Sequence, residues 1–138
     1  MTQDTLKGTV AAVGAVLSYL MGGVDAALKA LLLFMALDYV TGVIAAWYEK
    51  RLDSVKGLKG FVKKLLMLVA VVVAAELDRV TGTSGIMRAG AIYYLLANEG
   101  LSILENLALA GILLPPGIKD ALQRLRSKGE KPYEEPPA

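Results

Sequence analysis

The sequence predicts an all-α integral membrane protein with four transmembrane helices, both termini in the cytoplasm, and an oligomeric assembly. Three observations predict it. First, the apolar runs are about 16 to 26 residues long, rich in Leu and Ala and without alternation; strands of ~4–8 residues would be shorter and would alternate. Second, 55% of the 138 residues are hydrophobic while 20% are charged. That is too apolar for disorder or an ordinary soluble domain. Third, Lys and Arg collect in alternate connections between the runs, as positive-inside topology requires. The longest uncharged stretch, Gly8 to Val24, has 17 residues. Each span must therefore hold or border charges, and their placement carries the argument.

The first span runs from about 6 to 24. Gly14, Ser18 and Gly22 recur at every fourth position there, a spacing that lets helix backbones approach closely in lipid and predicts a packing face. The second span, about 28 to 48, contains LDYVTG, with Asp38 near its middle and Thr41 and Gly42 one turn on. A charge at that depth costs at least ~2.5 kcal/mol and turns inward to a partner. Thr41 can donate to the carboxylate or to its own backbone, and Gly42 leaves room for a neighbour. Trp47 and Tyr48 suit an interfacial belt.

Between Glu49 and Lys64 lie six cations, Lys50, Arg51, Lys56, Lys59, Lys63 and Lys64. Val55, Leu58 and Val62 oppose Lys56, Lys59 and Lys63, the pattern of a short basic helix on an anionic leaflet. A simple topogenic loop accounts for the segment equally well. The third span, about 62 to 80, is long enough only if Lys63 and Lys64 snorkel to the interface.

The fourth span, about 89 to 114, holds ANEGLSILENLALAG. Asn98, Glu99, Ser102, Glu105 and Asn106 are separated by 3, 4 or 7 residues and form one polar stripe. In a helix of that extent the stripe lies mid-membrane, so its acids must meet other helices or water in a lumen. Both a static seam inside a monomer and the wet wall of an oligomeric hole fit. Tyr93 and Tyr94 suit the outer interface. After Pro115 and Pro116, Ile118, Leu122 and Leu125 predict a short cytoplasmic amphipathic helix at 116–126, which closes the membrane domain. Residues 127–138 read as a disordered tail.

The region after Leu114 holds five Lys and Arg, the Glu76–Arg88 turn two and the Gly22–Lys29 turn one. With six in Glu49–Lys64, the two basic segments fall inside and the two turns outside. The chain has no Cys and no His, which removes disulfides and thiolate or imidazole chemistry. No phosphate-cradling glycine loop occurs. A net charge of +2 is too small to argue for nucleic acid. The expectation is a protein that is not an enzyme, with no catalytic, metal or cofactor residues. An N-terminal signal peptide fits poorly, since Asp4 sits in its basic region and no clear small-residue cleavage site follows.

Several segments together resemble the bacteriophage holin family, including its toxin-secretion type. They are LLLFMALDYVTGVIAA (Leu31–Ala46), SVKGLKGFVKK (Ser54–Lys64), ELDRVTGTSGIMRAGAIYYLLANEGLSILEN (Glu76–Asn106) and GILLPPGIKDALQRL. NEGLSILEN is the most specific of them. The resemblance implies a small protein of the bacterial cytoplasmic membrane that accumulates harmlessly and then oligomerises into holes. An endolysin, or a toxin, would pass through without binding. Its partners would be lipid and further copies of itself. A static accessory subunit, and a selective channel with Asp38 and the glutamates as ion sites, remain open alternatives.

Overall fold

The computed structural model describes residues 1–118 together with 120, 121 and 124. Four helices follow one another, α1 (Gln3–Leu20), α2 (Ala26–Tyr48), α3 (Ser54–Thr81) and α4 (Ile86–Leu109). All the regular structure among the described residues is helical.

Local chemistry sets the helix ends. The Thr2 side chain accepts from Thr5 N at the start of α1, Asp25 from Leu28 N at the start of α2, and Asp53 from Val55 N and Lys56 N at the start of α3. Each satisfies a backbone donor that has no partner within the helix. α3 stops at Gly82, in the left-handed region at φ 70°, as helix ends with glycine commonly do. α4 leaves the helix at Ala110 and Gly111 (φ 85°), where Ile112 N donates back to Leu107 O. This ends the helix five residues before the predicted limit of 114.

α4 is the centre of the fold. It packs mainly on α2 and next on α3, while α1 touches only α3. The core is Leu28, Leu31 and Met35 from α2, Val71 from α3, and Ile92 and Leu95 from α4. Positions 28, 31 and 35 share one helical stripe, as do 71, 74, 75 and 78. α1 buries no residue. α2 and α4 run parallel to each other and antiparallel to α3. One end of the bundle thus gathers the end of α2, the start of α3 and the end of α4.

Two expectations change. The basic segment after Asp53 is neither a loop nor a separate surface helix. It forms the first turns of α3, which runs unbroken for 28 residues, because the Asp53 cap starts the helix ahead of the lysines. Gly22 lies beyond the end of α1, at φ 78°, so it cannot belong to a helical packing face with Gly14 and Ser18. Of the four helices, α2 alone is long and apolar enough to cross a membrane by length and composition. The polar and charged positions within α3 and α4 keep those helices below that standard. Pro116–Ile118, Asp120, Ala121 and Arg124 are helical. Lys119, Leu122, Leu125 and the 127–138 tail lie outside the described residues.

Candidate functional site

Lys64 turns inward from α3 and joins two acids on different helices. Its Nζ donates to Asp38 Oδ2 of α2 at 2.6 Å and to Glu99 Oε2 of α4. Side-chain exposure is 12% for Lys64, 14% for Asp38 and 4% for Glu99. The expectation that Lys64 snorkels to the interface is therefore overturned. Two carboxylates within reach attract the ammonium more strongly than water at the far end of its stem, and burial strengthens the attraction.

Asn106, one turn from the end of α4, completes the cluster. Its Nδ2 donates to the Asp38 main-chain O at 3.2 Å, to Asp38 Oδ1 at 3.0 Å and to Thr41 Oγ1 at 3.1 Å. Thr41 in turn donates to Leu37 O at 2.8 Å and to Asp38 O at 3.2 Å. It thus spends its proton on its own backbone and accepts from Asn106. A Cβ at Gly42 would stand 3.5 Å from the Asn106 amide nitrogen, an ordinary van der Waals contact, so the fit of α4 against α2 does not depend on glycine there.

The three charged groups share one depth. Asp38 lies ten residues before the end of α2, Lys64 ten after the start of α3, and Glu99 ten before the end of α4. At ~1.5 Å per residue, each sits about 15 Å from the same end of the bundle.

An open cleft of about 850 Å³ descends from that end to the triad. All five stripe residues line it, from Asn98 to Asn106, with Asp38 and Gly42 across from them. The stripe is not uniform. Glu99 is buried, Asn98, Ser102 and Asn106 are half-buried, and Glu105 is exposed. Because α4 ends at Leu109, the stripe occupies its C-terminal half, and Glu105 and Asn106 stand near the helix end instead of mid-helix. Of the basic segment, Arg51, Lys56, Lys63 and Lys64 line the cleft, whereas Lys50 and Lys59 do not. Gly14 has open space around it, and Ser18 is half-buried.

A second polar cluster ties the opposite end and was not singled out from sequence. Arg88, 9% exposed, donates from Nε to Met21 O, from Nη2 to Gly23 O at 2.8 Å and from Nη1 to Asp25 Oδ2 at 2.7 Å. Buried Asp78 accepts from Met87 N at 3.0 Å and Arg88 N at 2.8 Å, capping α4 from across the turn. The Arg88 guanidinium beside Asp25 holds that carboxyl below its usual range, helped by the Leu28 N–H. A side chain at Gly22 would fall 2.8 Å from Arg88 Cδ. In sequence, only the paired glycines and one of the two arginines of the Glu76–Arg88 turn hinted at this arrangement. Arg79 adds a contact over the Tyr19 ring, 4.5 Å from its centroid.

Among the described residues no group of side chains could hold a metal ion. What the site offers is an ion cluster that clamps three helices, reached by water from one end.

A family model described as "Bacteriophage holin family" matches residues 15–127. The chain is 37% identical to a "Probable holin" of Bacillus phage phi105, covering 85% of this chain and 86% of that one. It is 42% identical to the Bacillus subtilis protein YqxH over 82% and 80%. With a 14.9 kDa Clostridium perfringens protein from the nagH 3' region, identity is 40% over 89% and 94%. No solved structure matches the chain. A match across most of the chain, shared with a phage relative of nearly the same extent, shows that the chain belongs to the bacteriophage holin family.

Proposed function

We propose that the protein is a holin of the bacterial cytoplasmic membrane. It crosses the bilayer four times, with spans at about 6–24, 28–48, 62–80 and 89–114 and both termini inside, and oligomerises into holes that release an endolysin. The observation that carries this reading is the Asp38–Lys64–Glu99 triad. If α2 spans a hydrocarbon core ~30 Å thick, charges about 15 Å from its end lie at the midplane. Isolated there, each would be untenable; joined on one ammonium and hydrogen-bonded by Asn106, they let α3 and α4 accompany α2. The outer surface agrees. Leu33, Val40 and Ile44 of α2 and Leu66, Val69 and Val73 of α3 are exposed, which suits lipid and would be a liability in water.

Family membership and the phage relative support the holin role. The hole follows from exchange of partners. In one molecule Glu99 and Asn106 face inward on Lys64 and Asp38, while exposed Glu105 is the stripe member open to a neighbour. Lateral association draws the stripe away from these contacts and lines a water-filled lumen with it. Gly14 and Ser18, on a helix that buries nothing, provide the close-approach face between copies. The endolysin passes through without binding. Cofactors and metals have no part in this mechanism.

The test is induced expression in a bacterium, alone and with an endolysin. Membrane potential should collapse abruptly after a delay, and lysis should follow only with the endolysin. Steady growth with full-length protein in the membrane refutes the proposal. Replacing Glu99 and Glu105 by Leu should leave insertion intact and delay or abolish triggering. A static accessory subunit would also use a completed triad. Purified protein in dye-loaded liposomes separates the two, since only a holin releases large dyes.

A further inference from the structure

We propose that the mouth of the cleft binds the phosphate of an anionic phospholipid, making it a headgroup site between α2, α3 and α4. The inference rests on the membrane reading above, in which the end of α2 marks the cytoplasmic interface.

Arg51, Lys56 and Lys63 line the cleft, and among the described residues none of the three is in an ion pair. The cleft also contains four carboxylates, and three of them are engaged. Asp38 and Glu99 hold Lys64, and Asp53 caps α3. Glu105 alone is uncommitted, and it belongs to the α4 wall, whereas the three cations belong to α3 and the turn before it. One wall thus carries a cluster of exposed cations without a carboxylate partner. Gly57 and Gly60 line the same space one turn apart; a Cβ at Gly57 would meet the Tyr39 hydroxyl at 3.6 Å, and Gly60 has nothing within 4 Å.

The position fits a lipid and not only an ion. Trp47 and Tyr48 are exposed in the last turn of α2, four and three residues before Arg51, and suit the level at which aromatic rings meet headgroups. Leu52, which lines the cleft, and Val55, Leu58 and Phe61 along the first turns of α3 are exposed and offer apolar surface for acyl chains. A volume of about 850 Å³ falls within the usual range of ligand sites, roughly 300–1,000 Å³. Basic pockets between helices on the cytoplasmic side recognise anionic headgroups by this chemistry.

Trp47 is the only tryptophan and provides the probe. Full-length protein is reconstituted in phosphatidylcholine vesicles holding equal fractions of chain-brominated phosphatidylglycerol or chain-brominated phosphatidylcholine, and Trp47 quenching is compared. The site requires stronger quenching by the anionic lipid. The preference should fall on the order of fivefold for each cation removed from the cleft. Lys56→Gln with Lys63→Gln should abolish it, whereas Lys50→Gln with Lys59→Gln, which removes the same charge outside the cleft, should leave most of it. Equal losses in the two pairs, or equal quenching by both lipids in the unaltered chain, overturn the site. No quenching by either lipid would instead overturn the membrane reading of α2. Circular dichroism of both pairs, expected to match the parent, excludes misfolding as the cause.

Discussion

Lys64→Met tests the clamp most directly, because it keeps the stem of the side chain and removes only the ammonium. Asp38 and Glu99 would then face each other with no cation between them. Removing one partner of a buried ion pair costs ~3–5 kcal/mol. The 4% exposure of Glu99 and 12% of Lys64 place this triad in that class, and the open cleft above it, which admits water, argues for the lower end, about 3 kcal/mol. Against a total stability of ~5–15 kcal/mol this is a large share. The assay is equilibrium unfolding in mixed micelles as the denaturing detergent fraction rises, followed by far-ultraviolet circular dichroism. The variant combining Asp38→Asn, Lys64→Met and Glu99→Leu has no buried charge left to strand and should recover most of the loss, since neutral replacement of a whole buried cluster is often benign. In cells, Lys64→Met alone should trigger earlier than the parent, because its stripe is already released. A single variant within about 0.5 kcal/mol of the parent, or a triple variant no better than the single, would refute the clamp.

Other consequences are equally open to measurement. Gly22→Ala forces a Cβ against Arg88 at a left-handed position and should cost roughly 1–3 kcal/mol; faster proteolysis and hydrogen exchange in α1 are the expected signs. Asp25 titrates below its ordinary range because of Arg88. Its contribution is therefore present above the usual carboxylate pKa and lost as pH falls through the lowered folded value. Unfolding in detergent between pH 6 and 3, on the scale set by ordinary Asp values near ~4, should show an acid-side loss that Asp25→Asn removes. Gly14→Leu meets nothing within the molecule and should strengthen α1 by up to ~1 kcal/mol. The same change should shrink the oligomer seen by cross-linking; an unchanged oligomer would show that this face is not used.

Much of the site could be read before any contact was known. Asp38, Glu99 and Asn106 were legible because a polar group inside an apolar helix needs a partner, and their spacing placed Glu99 and Asn106 on one stripe. Lys64 was misread. Within its own segment it belongs to a basic run, and local spacing cannot show that Lys64 turns in on two acids while Lys63, lining the same cleft, stays exposed. Glu105 was read as equivalent to Glu99, yet α4 ends sooner than its apolar run, at the left-handed Gly111, and leaves Glu105 exposed near the helix end.

The sequence by itself determined four helices and the need for buried acids to find partners. These depend on interactions within a few residues, which repeat with the helical turn. Only the tertiary structure decided who the partners are. Lys64 meets Asp38 across 26 residues and Glu99 across 35, and Arg88 meets Asp25 across 63. Antiparallel packing brings such groups to one depth, and no local period in the chain encodes that depth. The clamp on α2, α3 and α4 is therefore a property of how the helices lie together, built from charges whose partners lie far apart along the chain.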